Sequence, residues 1–176
     1  RRHLLSDLPW TSLGQSYGGF CTWTYLSRAP EGLDAAYVTG GVPPVGSHPD
    51  DVYRATHAAL ARRVADLDAA HPRVREVLAD VAHHLQRTEE VLPTGERLTA
   101  ARLQSIGVVL GGSGGIDLLA HLADDAWALP GRRLSDLFLA GVAAVVSFAA
   151  NPLYALVHEA IYAEGGLVTG WSAQRV

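Results

Sequence analysis

Gly14-Gln15-Ser16-Tyr17-Gly18 has the spacing G-x-S-x-G, and its residue types suit a serine nucleophile. A nucleophilic serine must stand clear of a sheet, on a sharp turn between a strand and a helix. That turn strains the serine backbone, so its neighbours must be small. Gly14, Gly18 and Gly19 are expected to provide the room. The backbone N–H of Tyr17, at the start of the helix, is placed to donate to a developing oxyanion, and the helix dipole adds to it. The alternative for Ser16 is a helix N-cap in a strand–helix–strand unit without catalysis. The five-residue pattern recurs at Gly111-Gly112-Ser113-Gly114-Gly115. Ser113 follows a helical segment, so this second copy reads as a glycine-rich loop between helices.

The elements around Ser16 fit the first reading. Trp10 to Gly14 is a short apolar and β-branched run that ends at glycine, as a buried strand does. Tyr17 to Ala29 carries Phe20, Cys21, Trp23, Tyr25 and Leu26 at near-helical spacing, and Pro30 and Gly32 stop it. Ala35 to Thr39 reads as a second strand, closed by Gly40-Gly41. Strand, helix and strand within about thirty residues predict a parallel βαβ unit. Beyond the rigid connector Val42-Pro43-Pro44-Val45-Gly46 the pattern turns helical. Helices are expected over 51–70, with Val52, Tyr53, Leu60, Val64 and Leu67 on one stripe, and from Pro72 to about Leu85. A turn follows at 92–97. Further helices are expected from Thr99 to about Leu110, from Ile116 to about Trp127 and from Ser135 to Ser147. The last starts at Asn151-Pro152, a capping side chain followed by proline. Residues 1–43 are thus expected to form a partial α/β core and residues 44–176 a helical module. Two strands do not make a stable parallel sheet, so the rest of the sheet is expected outside this sequence.

Composition narrows the function classes. The chain has 176 residues, which suits one domain or one domain with an insertion; it is 48% hydrophobic, enough for a sizeable core, and carries a formal net charge of −4. All 14 basic residues are arginine and no basic run exceeds two residues, which argues against nucleic acid and anionic membrane as partners. The longest apolar stretch, Leu137 to Ala150, is too short to span a membrane. The single cysteine excludes an internal disulfide framework and a multi-cysteine zinc site. Cys21 is expected to be a small buried hydrophobe on the helix after Ser16. Methionine is absent, so a processed or internal segment is expected.

Several stretches resemble the prolyl aminopeptidases (proline iminopeptidases). They are residues 14–20 with the serine motif, Tyr25-Leu26-Ser27, Ala29-Pro30-Glu31-Gly32-Leu33 and Thr39-Gly40-Gly41-Val42-Pro43-Pro44. In the helical part they are residues 92–99 and Asn151 through Tyr162, including His158-Glu159-Ala160-Ile161-Tyr162. The resemblance implies an α/β-hydrolase fold with a helical cap, here as a fragment, and release of an N-terminal proline from peptides by a Ser–Asp–His triad. It implies Ser16 as the nucleophile and Tyr17 as one oxyanion donor. The triad Asp and His, and a second oxyanion donor on a glycine-rich loop, are implied to lie outside this sequence. A cytoplasmic enzyme without metal or organic cofactor is expected, acting on peptides with a free N-terminal proline.

Eight histidines and eleven aspartates offer tempting pairs, among them His121 with Asp124 or Asp125, and His83 with His84. They fall in amphipathic helical patterns and are expected to be solvated. Glu159 differs, because it falls among Leu153, Leu156, Val157, Ala160 and Ile161 on a mostly apolar helix. A carboxylate there needs a partner or a cavity. It is the candidate counter-charge for the protonated secondary amine of an N-terminal proline, with Glu164 as a second candidate. The alternative for Glu159 is a helix-face residue or a structural pair with arginine. Phe148, Tyr154 and Tyr162 are candidates to line an apolar slot for the pyrrolidine ring. The rival functions are another capped hydrolase acting on esters or amides, and a binding protein that kept the fold.

Overall fold

A computed structural model describes residues 7–129 and 133–176. The chain forms two compact units. Of the described residues, one comprises 7–52 and 159–175, and the other 53–129 and 133–158 with Val176.

In the first unit, strand β1 (Trp10–Gln15) leads through Ser16 into helix α1 (Tyr17–Arg28). A single 3-10 turn at Pro30–Gly32 returns the chain to strand β2 (Leu33–Thr39). β1 and β2 pair in parallel, with Leu13 opposite Tyr37 and Gln15 opposite Thr39. This is the βαβ unit expected from the sequence. Helix α1 starts at Tyr17, immediately after the glycine-flanked serine, and ends before Pro30, which lacks the N–H needed to continue it. Two apolar side chains of the strands stand open, Leu13 at 73% and Tyr37 at 60% exposed, whereas Leu33 and Val38 are partly covered.

The second unit holds the hydrophobic core. Helix α2 (Pro49–Ala70) crosses the boundary between the units, and helix α3 (Val74–Leu85) follows a turn at Pro72. A hairpin of β3 (Glu90–Val91) and β4 (Arg97–Leu98) closes over the expected turn. Helix α4 (Ala100–Gln104) is capped by Thr99, whose hydroxyl accepts the Arg102 N–H. The expected helix to Leu110 tightens instead into a 3-10 segment, Ser105–Gly111. Helix α5 (Gly115–Asp124) is followed by a second hairpin, β5 (Trp127–Ala128) with β6 (Arg133–Leu134). Helix α6 (Asp136–Val146) starts at Ser135, whose hydroxyl accepts the Phe138 N–H as expected. Val81, Leu98, Leu134, Phe138 and Val142 are fully buried. Helix α7 (Pro152–Val157) has proline in its first turn, but the Asn151 side chain makes no capping hydrogen bond.

Three other expectations are corrected here. The apolar stripe of α2 is only partly covered, because Leu60 is exposed and Leu67 alone of its residues is buried. The apolar helix expected to carry Glu159 ends at Val157, and Glu159 opens a separate 3-10 turn, Glu159–Tyr162. Its carboxylate accepts the N–H groups of residues 172 and 173, and the helix that ends at Val157 buries none of its residues. His84 is not solvated. It lies half-buried beside Glu90, 2.7 Å from its carboxylate, with the Trp127 ring edge-on at 5.3 Å. The second hairpin and the Glu90 carboxylate close around it, and that is long-range packing.

Candidate active site

Ser16 sits at φ 53°, ψ −123°. A β-carbon in this region crowds the backbone, and for a residue other than glycine the strain costs roughly 1–3 kcal/mol. A capping serine has an extended backbone and a hydroxyl bonded to the helix N–H groups. Ser16 has neither feature, since its side chain makes no capping bond. The turn is held instead through the backbone. The Ser16 N–H donates to the Thr39 carbonyl at 3.1 Å, and the Gly19 N–H donates to the Ser16 carbonyl at 2.8 Å. The strain is therefore locked by β2 on one side and by the first turn of α1 on the other.

Glycines let these backbones approach. A β-carbon on Gly14 would stand 2.2 Å from the Gly18 carbonyl oxygen, and one on Gly19 would stand 2.3 Å from that of Gly41. Gly18 departs from expectation: a side chain there meets nothing within 4 Å among the described residues. The room is needed at Gly14 and Gly19 because α1 crosses close over β1 and the end of β2 at those points. Gly41 closes the second strand, and its spacing from Ser16 in the sequence gives no sign of a contact. Its own β-carbon would stand 2.0 Å from the Ser16 carbonyl oxygen, so it belongs to the serine turn. The Ser12 and Thr22 hydroxyls, 3.1 Å apart, join β1 to the inner face of α1. Cys21 lies on the other face and is exposed, which corrects the expectation of a buried residue. The inner face is lined by Gly19 and Thr22, small enough for close packing.

The first unit brings several of the other candidates together. From the start of α1, Tyr17 and Phe20 have ring centroids 6.2 Å apart, and Phe20 meets Tyr162 edge-on at 6.3 Å. Glu159, on the same 3-10 turn as Tyr162, accepts the N–H groups of Ser172 at 3.0 Å and Ala173 at 3.1 Å. These open a short helix α8 (Ser172–Arg175). Burial alone raises the Glu159 pKa. The Thr169 hydroxyl, the two N–H groups and the Arg175 charge outweigh it and hold the carboxyl below the usual glutamate range. The carboxylate is thus ionised and engaged with backbone. Arg175 reaches the Asp50 carboxylate. The Ser172 side chain, followed by the hydrogen bond and charge of Arg175, together outweigh burial and hold Asp50 below its ordinary range. Glu164 accepts the Gly46 N–H at 3.3 Å, which ties residue 164 to the proline-rich connector. Residues 159–175 therefore cluster with the N-terminal segment, whereas the sequence grouped them with the helical module.

Phe148 and Tyr154, the other slot candidates, belong to the second unit and stack on each other at 5.9 Å. The second serine motif forms a loop between the 3-10 segment and α5, as expected for Ser113. Among the described residues no group of three or more His, Cys, Asp or Glu is arranged to hold a metal ion. No helix among them is long and apolar enough to cross a membrane.

A strained serine between a parallel strand and a helix is the arrangement of the nucleophile turn in one large fold family. The model of that family, the alpha/beta hydrolase fold, matches residues 2–137. The chain belongs to the α/β-hydrolase fold family. Two curated relatives extend the match over essentially all of this hydrolase-fold chain. A proline iminopeptidase of Aeromonas sobria is 44% identical over 176 residues, which are 100% of the chain and 41% of the relative. A proline iminopeptidase of Aspergillus aculeatus is 29% identical over 188 residues, covering 99% of the chain and 40% of the relative. The chain spans about two-fifths of the length of these relatives.

Proposed function

We propose that this hydrolase-fold chain carries the nucleophile and cap segments of a serine aminopeptidase that releases N-terminal proline from peptides. The observation that carries the reading is the backbone of Ser16, strained at φ 53° on a turn from a parallel strand into a helix. The names of the two relatives support the substrate. Ser16 Oγ attacks the carbonyl carbon of the prolyl residue, and its proton passes to a general base. The carbonyl oxygen becomes an oxyanion and takes a hydrogen bond from the Tyr17 N–H at the head of α1. Collapse of the tetrahedral intermediate expels the shortened peptide's amine, which takes up the proton, and leaves a prolyl ester on Ser16. Water then hydrolyses that ester. The general base and its carboxylate are assigned to the part of the protein beyond residues 1–176, where the resemblance puts them.

Glu159 supplies the negative charge for the substrate's protonated amine, with Glu164 as the second carboxylate and Tyr162 beside the pyrrolidine ring. A glutamate is ionised at neutral pH, as that role requires, and the lowered pKa of Glu159 is consistent with it. Peptides in the cytoplasm are the proposed substrates.

The test uses the intact protein that carries this chain. A serine-directed phosphonate should label Ser16, and proline aryl-amides should be cleaved faster than simple esters. Ser16→Ala should lower turnover by about 10⁴-fold or more while substrate still binds. Preference for neutral esters would favour a different capped hydrolase. Failure to label would favour a binding protein.

A further inference from the structure

Among the described residues, Ser16 and Trp171 are the ones other than glycine with positive φ. Trp171 stands at φ 59°, directly after Gly170 at φ 58°. A left-handed backbone is uncommon for a bulky aromatic residue, and glycine adopts it freely. Such strain persists only where the surroundings impose it. Here they do. The Glu159 carboxylate accepts the Ser172 N–H, on the peptide bond that follows Trp171, and the Ala173 N–H beyond it. Arg175 Nη1 donates to the Thr169 and Gly170 carbonyls at 2.9 and 3.1 Å, and the Ser172 hydroxyl donates to that of Thr169 at 3.0 Å. The Gln174 and Arg175 N–H groups donate to the Trp171 carbonyl. All this fixes the backbone of one residue whose indole is 70% exposed.

The ring is thus held at a strained position and stands largely clear of the described residues. We propose that Trp171 is a substrate-contact residue, its indole packing against the ring of the peptide's N-terminal residue while Glu159 holds both the turn and the substrate's charge. This rests on the aminopeptidase reading. The chemistry fits that substrate class. A protonated pyrrolidine offers apolar CH₂ groups and a cation, and an indole face attracts both. Glu159 touches the peptide group next to the indole's own Cα, so one turn carries the apolar wall and the counter-charge.

Trp171→Gly in the intact protein separates contact from structure, because glycine keeps the left-handed turn without strain and removes only the ring. KM for a proline aryl-amide should rise about tenfold, with kcat within about twofold and Tm not lowered. In a Ser16→Ala background, a prolyl dipeptide should change the tryptophan fluorescence, and Trp171→Gly should abolish that change. An unchanged KM and an unchanged fluorescence response overturn the proposal. So does a fall in Tm and kcat at constant KM, which would make Trp171 a packing residue. Wild-type activity on the aryl-amide shows that the aminopeptidase reading itself stands in each of these cases. A wild-type protein without it overturns that reading and this proposal together.

Discussion

The carbonyl oxygen of Ser16 lies 2.0 Å from the point where a β-carbon on Gly41 would stand. The end of β2 and the serine turn therefore fit only if residue 41 has no side chain. Gly41→Ala forces backbone against backbone, which no rotamer relieves. The expected loss is about 3 kcal/mol of stability, read by urea unfolding, together with most activity. Gly40, at φ 61° with open space around it, is the control. Alanine there meets only backbone strain, about 1 kcal/mol. Equal losses at the two positions would show that close approach is not the constraint.

Glu159→Gln should weaken peptides with a free N-terminal proline by about 1.5–3 kcal/mol relative to N-acylated substrates, since a charge-assisted contact is lost. Equal effects on charged and neutral substrates would restrict Glu159 to holding the turn at Ser172 and Ala173.

The same carboxylate makes a pH prediction. Glu159 and Asp50 both have lowered pKa values in the folded chain. Each stabilises the fold at pH above its ordinary value, about 4.3 for Glu and 3.9 for Asp. That contribution is lost as pH falls through those values towards the lowered ones. Urea unfolding at pH 7 and pH 3 should therefore differ less in Glu159→Gln and Asp50→Asn than in the wild type. An undiminished difference would mean that other carboxylates carry the acid response.

His84→Ala should destabilise the helical unit by about 2 kcal/mol, because it strips the partner from the half-buried Glu90 carboxylate, which also accepts the Leu134 N–H at 3.2 Å. Thermal unfolding measures it. His121→Ala, an exposed position, should fall within about 0.5 kcal/mol of wild type.

The 176-residue polypeptide expressed by itself should lack prolyl aryl-amidase activity and tend to aggregate. Its two parallel strands leave Leu13 and Tyr37 uncovered. The helical unit, with its own core, should retain secondary structure. A soluble monomer with a sharp unfolding transition and Ser16-dependent turnover would count against this expectation.

The sequence by itself determined the local devices. The glycine-flanked serine, Pro30 after the helix, and the Thr99 and Ser135 caps act within a few residues, so their chemistry is legible without a fold. The parallel pairing of β1 and β2 was legible as well, because a strand, a helix and a strand in so short a span leave little choice. Only tertiary structure decided the use of Gly41, the burial of His84 and the exposure of Cys21. Each depends on what another segment brings alongside. Glu159 shows the difference most directly. Its apolar neighbours marked it as a carboxylate in need of a partner. That the partner is the backbone of Ser172 and Ala173, and that a strained Trp171 precedes them, follows from a chain reversal that no local pattern encodes.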